Sequence, residues 1–190
     1  ASCLVGSEMC IRDRTGDAKY AELVETCLYN SILSGISLDG KKYFYTNPLR
    51  ISADLPYTLR WPKERTEYIS CFCCPPNTLR TLCQAQNYAY TLGSEGIYCN
   101  LYGANTLTTN WRDKGEIALT QKTAYPWEGN VRVEFDRVPR KAGAFSLFLR
   151  IPEWCEKAML TVNGELVPVA AKANTYAEVK RTWKKGDVVE

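Results

Sequence analysis

The sequence predicts an α+β chain in which helices come first and an antiparallel β-sandwich follows, on three observations. Apolar residues recur at three- and four-residue steps up to about Gly93, and beyond Gly96 they alternate one for one. An Asn-Gly pair also separates two short apolar runs in the second half, the signal of a tight hairpin. The change of period places a boundary between residues 93 and 97. The domains expected are a helical one over 15–95 and a truncated sandwich over 96–190.

The elements follow in order. The first fourteen residues, ASCLVGSEMCIRDR, show neither period, and CLVGSEMCIRDR resembles the translated sequencing-adapter peptide found at the ends of metagenome-assembled genes. Residues 1–14 are therefore expected to be an unstructured artefact. From Asp17 a helical face appears, made of Tyr20, Leu23, Val24, Cys27, Leu28, Ile32 and Leu33, with Gly35 placed to end it. Leu38-Asp39-Gly40-Lys41 is a turn signal, and Tyr43-Phe44-Tyr45 before Asn47-Pro48 is a short extended piece. Residues 49–70 look like loop. Asn77 is placed as the N-cap of a second helix, whose face of Leu79, Leu82, Cys83, Gln86 and Tyr90 runs to about Gly93. In the β half, Val131, Val133 and Phe135 alternate with Arg132, Glu134 and Asp136, and Leu147, Leu149 and Ile151 follow the same rule. Asn163-Gly164 is the hairpin turn.

Composition excludes several classes. The 190 residues are 45% hydrophobic, ample for packed cores, and their net charge of +3 is spread without long runs of one sign. Neither a nucleic-acid partner nor a membrane is expected. No apolar run approaches a membrane span and no basic-then-apolar secretory layout opens the chain, so a cytoplasmic location is expected, with periplasmic or secreted placement open if the true start lies upstream. The pattern is silent on oligomeric state.

The chemistry concentrates in CFCCPPNTLR, Cys71 to Arg80. Nine cysteines make an odd number at spacings unlike a small disulfide scaffold, and histidine is absent. Any metal here must use sulfur and carboxylate. Pro75 biases Cys74 toward extended backbone, which would send the sulfurs of Cys73 and Cys74 to different sides of the chain. Both precede a helix start, where the dipole and unpaired amides favour a thiolate, and a thiolate there is a nucleophile or a metal ligand. Cys27, Cys83, Cys99 and Cys155 read as small apolar core residues. Glu25-Thr26-Cys27 offers a carboxylate and a thiol, but residues two apart on a helix point apart by about 200°, and Cys27 belongs to the apolar face.

CCPPN before a helix, preceded by YAELVETCLYNSILSGISLDGKKYFYTNPL, resembles the glycoside hydrolases typified by bacterial β-L-arabinofuranosidase, over residues 16–190. The resemblance implies the end of an (α/α)6 catalytic barrel followed by a β-sandwich. It further implies a retaining glycosidase acting on an oligosaccharide, with Cys73 as nucleophile and zinc ligand and Cys74 as a second zinc ligand. The remaining ligands, spaced Glu-x-Cys, and the acid/base glutamate would lie on an earlier segment, so this fragment alone would be inactive and its zinc site incomplete. Tyr45 matches a position that could face the sugar, Arg80 a clamp on the motif, and Trp61 and Trp127 candidates for sugar stacking. Two other readings stay open: an accessory carbohydrate-binding sandwich with a structural thiol or zinc site, and a redox or disulfide role for the CFCC cluster.

Overall fold

The computed structural model describes residues 2–47, 50, 52 and 60–190, so residues 49, 51 and 53–59 of the loop expected over 49–70 lie outside the described residues. The chain forms two units, one of residues 1–11 and 23–86 and one of residues 12–22 and 87–190. Helices lead and sheets follow, the α+β arrangement expected.

The opening segment departs from expectation. Residues Ser2–Thr15 form helix α1 rather than an unstructured tail. Its buried positions are Val5, Glu8, Met9 and Arg12, spaced as one helical face. Two of the four are charged, so the face has no hydropathy period.

Helix α2, Ala18–Thr26, opens behind Asp17, whose Oδ1 accepts a hydrogen bond from the Lys19 amide at 3.1 Å. The helix runs on as a π-helical stretch, Cys27–Ile32, and a 3-10 turn, Leu33–Gly35. That stretch alters the expected face. Each π turn holds an extra residue, which swings later side chains by roughly 100° against regular α spacing. Val24, Cys27 and Ile32 are buried as predicted and Leu33, beyond the stretch, faces solvent, whereas Leu23 is exposed and Glu25 buried already within α2. After it, Gly40 takes a φ of 72° in the expected turn, where Asp39 Oδ1 accepts the Lys41 amide.

Helix α3, Cys74–Gln84, begins three residues before the predicted cap. Cys73 is the N-cap residue, and Pro75 and Pro76 fall in the first turn, where amide hydrogens have no helical partner to lose. Asn77 lies inside that turn, its Nδ2 donating to the Cys73 carbonyl at 2.7 Å. A 3-10 turn, Ala85–Tyr88, ends the helical run, and Tyr90, read as helical, starts a strand instead.

The second unit holds ten strands in two sheets. One contains β1 (Tyr90–Leu92), β2 (Gly96–Cys99), β6 (Ala144–Ile151) and β9 (Thr175–Thr182), in the order β1-β2-β6-β9. The other contains β3 (Asn105–Asn110), β4 (Glu116–Thr123), β5 (Val131–Arg137), β7 (Thr161–Val162), β8 (Glu165–Leu166) and β10 (Val188–Val189). Their order is β3-β4-β5-β10-β7-β8. Ile97, Leu147 and Ala177 from the first sheet and Leu119, Phe135 and Val189 from the second share one buried core. A fully buried Ile, Leu or Phe contributes about 1.5–3 kcal/mol, so this layer holds the sandwich.

One pairing is not antiparallel. β2 runs parallel to β6, with Gly96 opposite Ser146. A Cβ on Gly96 would lie 1.9 Å from the Ser146 carbonyl oxygen, so only glycine fits. The predicted hairpin is present: Asn163 and Gly164 have φ of 54° and 83° between β7 and β8, as a type I′ turn requires. Asn163 also accepts the Val188 amide on Oδ1 and donates from Nδ2 to Asp187.

In the same unit, Arg12 puts its guanidinium 4.2 Å from the ring centre of Tyr98 and donates from Nε to the Tyr176 hydroxyl at 3.0 Å. Buried Arg150 donates to the Asn100 carbonyl and pairs with Glu22. Among the described residues, no helix is long and apolar enough to cross a membrane.

Candidate active site

The thiol cluster sits where a bend meets the start of α3. Cys73 Sγ lies 3.6 Å from Cys74 Sγ and 3.8 Å from Cys71 Sγ. The expectation that Cys73 and Cys74 point apart is therefore corrected. Pro75 does not hold Cys74 extended, because Cys74 is already the first helical residue and Cys73 has helical angles too, φ −77° and ψ −37°. In that conformation neighbouring side chains diverge less than in a strand.

Tyr45 arrives from 28 residues upstream, its hydroxyl 3.8 Å from Cys73 Sγ. Its ring packs on Trp61 with centroids 3.9 Å apart, which fixes the phenol from behind. The short extended piece predicted over 43–45 delivers it: Tyr43 bridges to both Ile36 and Thr66.

These contacts divide the cluster electrostatically. The Tyr45 hydroxyl, and after it the thiols of Cys74 and Cys71, can donate to Cys73 and hold its pKa below the ordinary thiol value. Burial, and then the neighbouring Cys73, push Cys74 up to about 11. Hydrogen bonding to Cys71 and then Cys73 raises the Tyr45 phenol to about 12. Of the adjacent pair, Cys73 is thus the sulfur that ionises first, and Tyr45 stays protonated as a donor beside it. Solvent reaches Cys73, while Cys74 is partly covered.

The pair also has the spacing of metal ligands. Sulfurs bound at 2.3 Å around a tetrahedral zinc ion are about 3.8 Å apart, close to the separations observed here. Two thiols are half of a four-ligand set. Among the described residues no group of three or more histidine, cysteine, aspartate or glutamate side chains is arranged to hold a metal ion. Glu25 and Cys27 are both buried, and burial raises the Cys27 thiol, as befits a core residue.

The other sequence candidates are dispersed. Arg80 is exposed on α3, and the hydrogen bond that ties down the motif comes from Asn77. Trp61 packs on Tyr45, whereas Trp127 is 89% exposed on the sandwich. Cys99 is fully buried as predicted, but Cys83 is exposed. Cys71 enters the sequence reading only through the redox or disulfide role left open for CFCC, and the structure sets its sulfur beside that of Cys73. Its place two residues before Cys73 was the available signal.

Comparison with known proteins gives consistent matches. A sequence profile described as the β-L-arabinofuranosidase GH127 catalytic domain matches residues 6–87, and one described as the GH127 middle domain matches residues 96–190. The chain is 32% identical over 155 residues to the non-reducing end β-L-arabinofuranosidase of Bifidobacterium longum subsp. longum, covering 77% of this chain and 23% of that protein. A solved glycoside hydrolase shares 81% identity and superposes with a TM-score of 0.91, over 99% of this chain and 32% of that one. A solved GH127 β-L-arabinofuranosidase from Geobacillus stearothermophilus T6 shares 36% identity with a TM-score of 0.86, over 99% of this chain and 30% of its own. The chain thus spans between 23% and 32% of the length of these relatives.

Proposed function

The chain belongs to the GH127 β-L-arabinofuranosidase family, and from that premise we propose that the parent enzyme is a retaining glycoside hydrolase with Cys73 as its nucleophile. Its substrate on this reading is an oligosaccharide of plant type ending in β-L-arabinofuranose or a related sugar. The helical unit supplies the end of an (α/α)6 barrel. The observation that carries the reading is the asymmetry of the cluster: one accessible thiol of lowered pKa, flanked by a protonated phenol and a thiol of raised pKa.

The steps use groups of this chain wherever the chain provides them. Cys73 reacts as the thiolate, since the thiolate is the nucleophilic form. It attacks the anomeric carbon, the glycosidic carbon–oxygen bond breaks, and a thioglycosyl enzyme forms on Sγ. The departing oxygen takes a proton from a general acid outside this chain. Water then attacks the anomeric carbon, giving its proton back to the conjugate base of that acid, and the carbon–sulfur bond breaks with sulfur leaving as thiolate, so the configuration is retained after two inversions. Tyr45 orients the sulfur through its hydroxyl and stabilises the charge at the start and end of the cycle. A Zn²⁺ held by Cys73 and Cys74 would keep both sulfurs deprotonated. The 190-residue chain, without the general acid, is inactive on this reading.

The test uses the full-length parent. An arabinofuranosyl inactivator that leaves a covalent adduct should label Cys73 and spare Cys71 and Cys74 by peptide mass spectrometry, and Cys73→Ser should abolish turnover in a folded protein. A label on a glutamate, or near-normal turnover in Cys73→Ser, would return the mechanism to the two-carboxylate route.

A further inference from the structure

Cys71 has no part in the proposed reaction, yet its sulfur is 3.8 Å from that of Cys73. A disulfide needs the sulfurs at about 2.05 Å and the Cα atoms about 4.4–6.8 Å apart. Cys74 has the nearer sulfur, 3.6 Å from Cys73, but it is the wrong partner. Adjacent residues joined by a trans peptide have Cα atoms only about 3.8 Å apart, below the disulfide range, and Cys74 is also the first residue of α3. Cys71 precedes the helix, in a bend with no ladder or helical bonds to break, and Cys73 is open to solvent. The buried thiols of Cys27 and Cys99 are shielded from the same reagents.

We propose that Cys71 is the resolving thiol of Cys73: when a peroxide oxidises Cys73, Cys71 captures it as a reversible Cys71–Cys73 disulfide. The Cys73 thiolate attacks one peroxide oxygen, the O–O bond breaks, and a sulfenic acid forms with release of one water after protonation. Cys71 Sγ then attacks Cys73 Sγ, the S–O bond breaks, and the hydroxyl leaves with the Cys71 proton as a second water. Two thiols and one hydrogen peroxide thus give one disulfide and two waters, and a dithiol reductant reverses the oxidation. Without a resolving thiol, a sulfenic acid continues to sulfinic and sulfonic acids that a dithiol cannot reverse. The inference goes beyond the glycosidase reading, because it requires only that Cys73 be the thiol that peroxide reaches first.

The test uses the 190-residue chain, reduced, freed of metal and exposed to hydrogen peroxide, then alkylated and cut with trypsin. All three cysteines fall in the peptide Thr66–Arg80, so the alkylation pattern identifies the bond. The expected result is a single alkyl group, on Cys74, with all three thiols recovered after dithiothreitol. Cys74→Ser should form the same bond. Cys71→Ser should instead accumulate sulfinic and sulfonic Cys73 that dithiothreitol does not recover. An alkyl group left on Cys71 or Cys73 in a cross-linked peptide, or equal irreversible loss of Cys73 with and without Cys71, would overturn the proposal. Neither outcome bears on whether a sugar adduct forms on Cys73 in the parent, so the two readings fail separately.

Discussion

Cys73 is distinguished from its neighbours by what donates to it. The Tyr45 hydroxyl is the largest cause of its lowered pKa, and removing a donor from the charged form favours the neutral one. Tyr45→Phe should therefore raise the pH midpoint of Cys73 alkylation by iodoacetamide and slow the reaction at every pH below that midpoint. Peptide mass spectrometry over a pH series measures this for Cys73 alone, and an unchanged profile would remove Tyr45 from the site. The residue types were legible in the sequence: the crowding of sulfur marked Cys73 and Cys74, and the missing histidine limited the chemistry to thiol and carboxylate. The contact with Tyr45 was not legible as a hydrogen bond, because a meeting of residues 28 apart leaves no periodic trace. The direction of the two sulfurs was misread because the local effect of Pro75 yields to the start of α3.

At the scale of elements, strands read better than helices. Alternation survives in β5, where Val133 and Phe135 are buried and Arg132 and Glu134 are not. The helices mislead where their faces are not apolar or not regular: α1 buries Glu8 and Arg12, and the π stretch after α2 rotates the face that its first turns establish. The predicted apolar face of α3 is largely open, with Leu79 and Cys83 exposed and Thr81 the buried residue of the helix. The parallel pairing of β2 and β6 carries no signature except Gly96. Gly96→Ala should destabilise the chain by about 3 kcal/mol, the upper range for overpacking, because the obstacle is backbone at 1.9 Å and not a side chain that can turn away. Gly129→Ala, with nothing near its Cβ, should stay within about 0.5 kcal/mol. Urea unfolding followed by circular dichroism compares them, and a Gly96→Ala loss no greater than that of Gly129→Ala would mean that the strands separate freely.

For the molecule as a whole, the decisive quantity is the number of ligands. Two thiols at tetrahedral spacing are half of a four-ligand set, and among the described residues no larger group is assembled. The purified chain should therefore retain clearly substoichiometric zinc after dialysis, read by elemental analysis. Full retention would mean that Cys71, or Glu25 with Cys27, completes a site within this chain.

The placement of the indole rings has an optical consequence. Of the five tryptophans, Trp111, Trp127, Trp154 and Trp183 belong to the sandwich unit, and Trp61 alone belongs to the helical one. Trp111 and Trp183 are sealed in the core, so their emission is that of an apolar surrounding and reports the integrity of the sheets. Trp61 lies against Tyr45, whose hydroxyl meets Cys73. A difference spectrum between the native chain and Trp61→Phe thus isolates the light emitted beside the thiols. Because thiolates quench excited indole by electron transfer, that one component follows the charge on Cys73 without any added dye.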